Sequence, residues 1–178
     1  LVSIAAQSQD YKRMYRNARD LFRQRKFDVA LEAFRPLIVY DRNNPYSEYS
    51  TFYAGVSAVQ LGYHTVGRDL FLQLRKLHPE WQQMHEVNYW LAKSYFDQGE
   101  LFQALLVLSE IDPNKMTDPV FSNDVALMKR NYLLKIDDAE TLRMAGENYP
   151  NDAEVGRAMA SILGRELYKP EVRQQFDS

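Results

Sequence analysis

The chain has 178 residues, 46% of them apolar, with no cysteine and a formal net charge of −2. The length fits one domain. Lack of cysteine excludes disulfides, thiolate metal sites and a cysteine nucleophile, and the slight acidity argues against wholesale nucleic-acid binding. No apolar run is long enough to span a membrane. No stretch of alternating β-branched residues bounded by turn pairs predicts a strand.

The chain opens on Leu1-Val2-Ser3-Ile4-Ala5, then Ala6-Gln7-Ser8, which fits the small-x-small pattern of an export-signal cleavage site. Two readings of residues 1–8 stand. As a signal remnant they predict an exported protein, periplasmic or in the cell envelope. As a helical extension packing Leu1, Ile4 and Ala5 on the first helical unit, they leave a cytoplasmic protein open.

From residue 11 the spacing predicts three helix–turn–helix units. In the first, Ala18 and Leu21 share a helix face, and Ala30, Phe34 and Leu37 form a second face beyond Phe27. Pro36 falls inside that second helix, where a missing donor and a clash with the Glu32 carbonyl predict a kink. The second unit has Ala54, Gly55 and Ala58, a turn at Leu61-Gly62, then Gly67, Phe71 and Leu74 before Pro79. The third has Leu91, Ala92 and Tyr95, a break at Gln98-Gly99-Glu100, then Ala104, Leu108 and Ile111, ending at Asp112-Pro113-Asn114. The three units are in register: 67 − 30 and 104 − 67 both equal 37, and Ala18, Gly55 and Ala92 keep the same spacing. Small residues at Ala30, Gly67 and Ala104 let paired helices approach closely, so these three are expected to be buried. A unit of this kind cannot bury its apolar face alone and must stack on its neighbours.

Beyond residue 114 the register decays. Asp118-Pro119 predicts a helix start with an acceptor cap and proline in the first position, followed by an apolar face of Val125, Met128 and Tyr132. Asp137 with Glu140 reads as a capping box before Leu142, Ala145 and Tyr149. Asn151 with Glu154 opens a further helix bearing Val155, Met159, Ala160 and Leu163. The partner of that helix would begin near Pro170.

These units resemble the tetratricopeptide repeat, a helical hairpin of about 34 residues. Leu91, Ala92, Tyr95, Gly99, Ala104 and Pro113 fit its pattern, as do Gly55, Gly62, Gly67, Phe71 and Pro79. The first unit lacks the terminal proline, with Arg42-Asn43-Asn44-Pro45 there, and Met14, Thr51 and Asn88 stand where the family has tryptophan. The extra residues of each period belong in the loops between repeats. The resemblance implies an all-α fold, a right-handed α-solenoid of antiparallel hairpins wound as a superhelix. Repeats fall at about 11–44, 48–81 and 85–118, with degenerate ones at 119–150 and 151–178, in a repeat domain spanning 9–178.

In such arrays the first helix of each hairpin lines a concave groove. The resemblance places Lys12, Tyr15, Arg16, Arg19, Phe22 and Arg23 there from the first repeat, and Tyr49, Phe52, Tyr53, Val56, Val59 and Gln60 from the second. The third contributes Glu86, Tyr89, Trp90, Lys93, Phe96 and Asp97. Lys12, Arg16, Arg19 and Arg23 form one helical stripe, and residues 11–26 hold seven Lys/Arg against the single acid Asp20. Arginine and large aromatics concentrate binding energy. The expected partner-binding residues are therefore Lys12, Tyr15, Arg16, Arg19, Arg23, Phe52, Tyr53, Tyr89, Trp90, Lys93 and Phe96. The aromatics carry two readings, groove floor or packing between repeats. The carboxylate clamp of the chaperone-tail subfamily is absent, because its sites hold Tyr15, Arg19, Val56, Glu86 and Trp90.

The expected function is a non-catalytic interaction module, holding a protein or peptide segment with acidic and apolar side chains. The alternative is an N-terminal accessory or dimerisation domain of a larger exported envelope protein, with a homodimer as one form. Outer-envelope activators of cell-wall synthases, in which helical repeats precede a periplasmic-binding-type domain, are similar in layout. No GxSxG elbow, Gly-rich phosphate loop or HExxH motif occurs, and His64, His78 and His85 have no recognised metal-ligand spacing. No enzyme activity, cofactor or metal is expected.

Overall fold

The computed structural model describes residues 4–39, 41–116 and 118–167, and of residues 4–8, 139, 148, 154, 159, 162, 163, 166 and 167 the backbone alone. The described residues are all-helical, without a strand. They form α1 (Ile4–Arg23), α2 (Phe27–Phe34), α3 (Ser47–Gln60), α4 (His64–Leu77), α5 (Met84–Asp97), α6 (Leu101–Ser109), α7 (Pro119–Lys135), α8 (Ala139–Asn148) and α9 (Ala153–Leu167). Residues 1–3, and with them part of the signal reading, lie outside the described residues, as does the expected helix near Pro170.

The first six helices pair through one turn used three times. Arg25, Gly62 and Gly99 adopt φ of 59°, 81° and 78°, at a spacing of 62 − 25 = 99 − 62 = 37. Their N–H groups donate to the carbonyls of Phe22, Val59 and Phe96 at 2.9, 3.0 and 2.9 Å. The next residues, Lys26, Tyr63 and Glu100, donate to Leu21, Ala58 and Tyr95 at 3.1, 2.8 and 2.9 Å. This is a Schellman ending, which satisfies orphan carbonyls and needs a left-handed residue. Glycine takes that conformation freely, whereas the Arg25 side chain strains it by roughly 1 kcal/mol.

The turn also fixes where the small residues fall. Ala30, Gly67 and Ala104 donate to the carbonyls of Lys26, Tyr63 and Glu100, one helical turn beyond each Schellman ending, and all three are buried as expected. At Gly67 a Cβ would lie 2.6 Å from Val59 Cγ2 and 3.0 Å from the Gly55 carbonyl oxygen. Here α4 sits on α3 backbone to backbone. Ala18, Ala92, Phe34, Phe71, Leu108, Leu37, Leu74 and Ile111 are buried as well, so the 37-residue echo is an echo of core positions.

Each of α1 to α6 touches its successor, α8 packs on α6 and α9, and α1–α3, α3–α5, α5–α7 and α7–α9 are also in contact. Flanked in this way, α3 is buried nearly all round and carries short polar residues, two of which its own backbone satisfies. Thr51 Oγ1 donates to the Ser47 carbonyl and Ser57 Oγ to the Tyr53 carbonyl, both at 2.7 Å.

Three expectations require correction. Pro36 does not kink the second helix; α2 stops at Phe34, and Pro36 sits in a 3₁₀ turn, Arg35–Leu37. The missing N–H costs little there, because the opening N–H groups of a helical turn lack partners anyway. The cap of α8 is Asp138 rather than Asp137, its carboxylate accepting from the Thr141 N–H at 2.6 Å. The cap of α9 is Asp152 rather than Asn151, accepting from the Val155 N–H at 3.1 Å. In both doublets the inner residue caps, and the helix begins one residue later. The cap at Asp118 is as expected, with its carboxylate accepting from the Val120 N–H at 2.9 Å.

Candidate partner-binding face

On α1, Lys12, Arg16 and Arg23 are exposed and Arg19 is half-buried. Arg23 pairs loosely with Asp20 at 3.8 Å, while Lys12 and Arg16 have no ion pair among the described residues. Arg19 leaves the stripe and lies over the Tyr53 ring at 3.9 Å, a cation–π contact between α1 and α3. Phe22 meets Tyr53 edge-on at 4.9 Å, and Tyr53 stacks on Phe34 at 5.9 Å. Burial holds the Tyr53 hydroxyl above its ordinary pKa; Arg19 and Arg23 oppose this, while Tyr49 and Glu86 add to it. The basic stripe and Tyr53 are thus one patch.

The remaining aromatics follow a rule that the helix pattern alone did not reveal. Tyr15, Phe52 and Tyr89 occupy equivalent positions of α1, α3 and α5, since 52 − 15 = 89 − 52 = 37. Each is gripped by an aromatic that follows a proline at the start of the next hairpin. Tyr46, after Pro45, stacks on Tyr15 at 4.6 Å. Trp81, two beyond Pro79, meets Phe52 at 5.9 Å and Tyr49 edge-on at 5.2 Å. Phe121, two beyond Pro119, packs on Tyr89 at 4.7 Å. Such pairs contribute about 0.5–1.5 kcal/mol each beyond their area, so this ring contact couples one hairpin to the next. The signal was present as an aromatic one or two residues after Pro45, Pro79 and Pro119, although not after Pro113.

The two readings of the aromatics therefore divide by position. Phe52 and Tyr89, 5% and 8% exposed, belong to packing between hairpins. Burial raises the Tyr89 pKa to about 12, assisted by Asp124, whose carboxylate accepts from its hydroxyl at 3.4 Å. Tyr15 is half-buried, and burial raises it to about 12 as well. Val56, Val59 and Glu86 are buried too. Trp90 remains partly open, edge-on to Tyr89 at 5.6 Å. Phe96 stacks on Tyr132 at 3.9 Å with one face, and Lys93 pairs with Asp97 at 3.4 Å.

The histidines turn to separate partners: His78 to Glu48 at 3.3 Å, and His85, through Nδ1, to the Asp112 N–H at 3.2 Å. His64 opens α4. Among the described residues no group of His, Asp and Glu is placed to hold a metal ion, and no helix is long and apolar enough to cross a membrane. Comparison of the chain with protein-family models, curated proteins and solved structures returned no match.

Proposed function

We propose that this chain is a tetratricopeptide-like interaction module, its hairpins wound as a right-handed superhelix, and that it holds a partner segment along α1, α3 and α5. The supporting observation is the patch where the α1 cations meet half-open rings, with Arg19 over Tyr53 and with Arg16 and Lys12 beside it, free of ion pairs among the described residues. Successive odd-numbered helices touch, and that contact is what a shared inner surface requires. The contact set is Lys12, Arg16, Arg19, Arg23, Tyr53, Trp90, Lys93 and Phe96, with Tyr15 at its edge; Phe52 and Tyr89 support it from the core.

The partner segment carries carboxylates for the stripe and apolar side chains for the rings. Exposed cations mainly speed encounter and weaken with salt, whereas ring contacts set the lifetime of a complex. With a partner recovered by pull-down, Arg16→Glu/Arg19→Glu should slow association and flatten its salt dependence. Trp90→Ala should accelerate dissociation by about 2 kcal/mol if it is a hot spot. Both variants are first checked for an unchanged melting temperature. If neither rate moves in either variant, the partner binds elsewhere and the proposal fails.

A further inference from the structure

α7 carries two apolar faces. Val125, Tyr132 and Leu133 are buried in the core. On the other side, Val120, Leu127 and Leu134 are 63%, 56% and 75% exposed. Their spacing, 127 − 120 = 134 − 127 = 7, lays them in one line about 21 Å long by the helical rise. A heptad-spaced line of exposed Val and Leu is half of a helix–helix seam.

The line runs into a cleft between α7 and α9 of about 360 Å³. Leu133, Leu134, Ile136 and Ala158 give it apolar walls, and Arg130, Arg157 and Arg165 stand around it with Ser161. Arg157, Ser161 and Arg165 follow at successive i, i+4 spacings, one side of α9. None of the three arginines has an ion pair among the described residues, although the neighbouring Lys129 is paired with Asp152. Among the described residues no carboxylate lines the cleft.

We propose that the outer face of α7 and this cleft form a second docking surface, and that its occupant is an acidic amphipathic helix of a partner protein. Charge complementarity selects an acidic occupant: three arginines line the cleft, no described residue of its lining offers a counter-charge, and arginine suits bidentate carboxylate contact. Length selects a helix. A small anion would fill the cleft and leave Val120 and Leu127 in water, whereas a helix with apolar residues every heptad covers the line and brings its flanking acids to the arginines. This surface is separate from the α1–α3–α5 face, so the two proposals stand or fall independently.

The probe is a fluorescein-labelled three-heptad peptide with a Leu seam flanked by Glu, compared with its Lys-flanked counterpart by fluorescence anisotropy. The Glu peptide should bind the wild-type chain, more weakly as salt rises, and the Lys peptide should not. Arg130→Glu/Arg157→Glu should weaken the Glu peptide roughly tenfold or more and admit the Lys peptide. Leu134→Asp should weaken the Glu peptide as well, and Trp90→Ala should leave it unchanged. All substituted side chains on this surface are exposed, so melts should match the wild type. The proposal is overturned if the Glu peptide does not bind, if both peptides bind alike, or if charge reversal changes nothing. It is equally overturned if sedimentation shows a dimer that Leu134→Asp converts to monomer, because the face would then belong to a second copy.

Discussion

Helices α2 to α6 begin without a side-chain cap, whereas α7, α8 and α9 each begin on an aspartate that accepts a first-turn N–H. The two regions solve the same problem differently. At the three Schellman turns the chain passes from helix to helix at φ near −84° and ψ near 64° in Lys26, Tyr63 and Glu100. The turn itself orders the next helix. Where the chain arrives extended, as at Asp118 and Asp138 with ψ of 114° and 141°, the backbone geometry suits an acceptor cap and a carboxylate supplies it. In the first region the helices are set by the turn and the close packing of small residues; in the second, local polar bonds fix the helix starts over a core that includes Val125, Tyr132, Leu142 and Val155. Its α9 glycines confirm the contrast: a Cβ at Gly156 or Gly164 would meet nothing within 4 Å.

The largest expected effect lies in that contrast. Gly67→Leu should cost roughly 1–3 kcal/mol or more, since backbone as well as Val59 opposes it. Gly156→Leu should be neutral or stabilising by up to about 1 kcal/mol, because the helix gains propensity and no neighbour objects. Urea melts of the two variants decide the matter, and equal shifts would erase the distinction between the regions.

The caps come next. Asp138→Ala should cost about 1 kcal/mol, while Lys26→Ala, at an equivalent position without a capping bond, should stay within about 0.5 kcal/mol. The hydrogen bonds from Thr141 hold the Asp138 carboxyl below the usual carboxylate range. Its contribution is therefore present above the ordinary aspartate pKa, about 4, and is lost as pH falls through the lowered folded value. Melts taken down the pH scale should show the Asp138→Ala penalty shrinking in acid and the Gly67→Leu penalty persisting. A penalty that ignores pH would mean the carboxylate is not the cap.

The smallest effect tests the turn. Arg25→Gly should stabilise by a few tenths to about 1 kcal/mol by relieving the left-handed strain, partly offset by the freer unfolded chain. Gly62→Ala should go the other way. If Arg25→Gly destabilises, the Arg25 side chain, which lies 5.9 Å from the Phe27 ring, contributes more than its backbone strain removes.

Much of the fold could be read from particular residues. Gly62 and Gly99 marked two of the three turns because glycine takes positive φ freely, and Arg25 hid the third because nothing about arginine advertises it. The caps at Asp137 and Asn151 were read one residue early, since either member of Asp137-Asp138 or Asn151-Asp152 could accept the bond. Pro36 read as a kink because helical periodicity runs on to Leu37, although the helix had already ended.

The sequence by itself determined the helices, two of the three hairpin turns and the twelve core sites of the 37-residue echo, because those depend on local backbone geometry and on periodicity along one chain. Only the tertiary structure decided which rings are open. Phe52 and Trp90 look alike as large apolar residues on first helices, yet Trp81 closes over Phe52 from 29 residues away in sequence, while Trp90 keeps a free side. Exposure depends on what packs from the next hairpin, and that is a contact between distant parts of the chain.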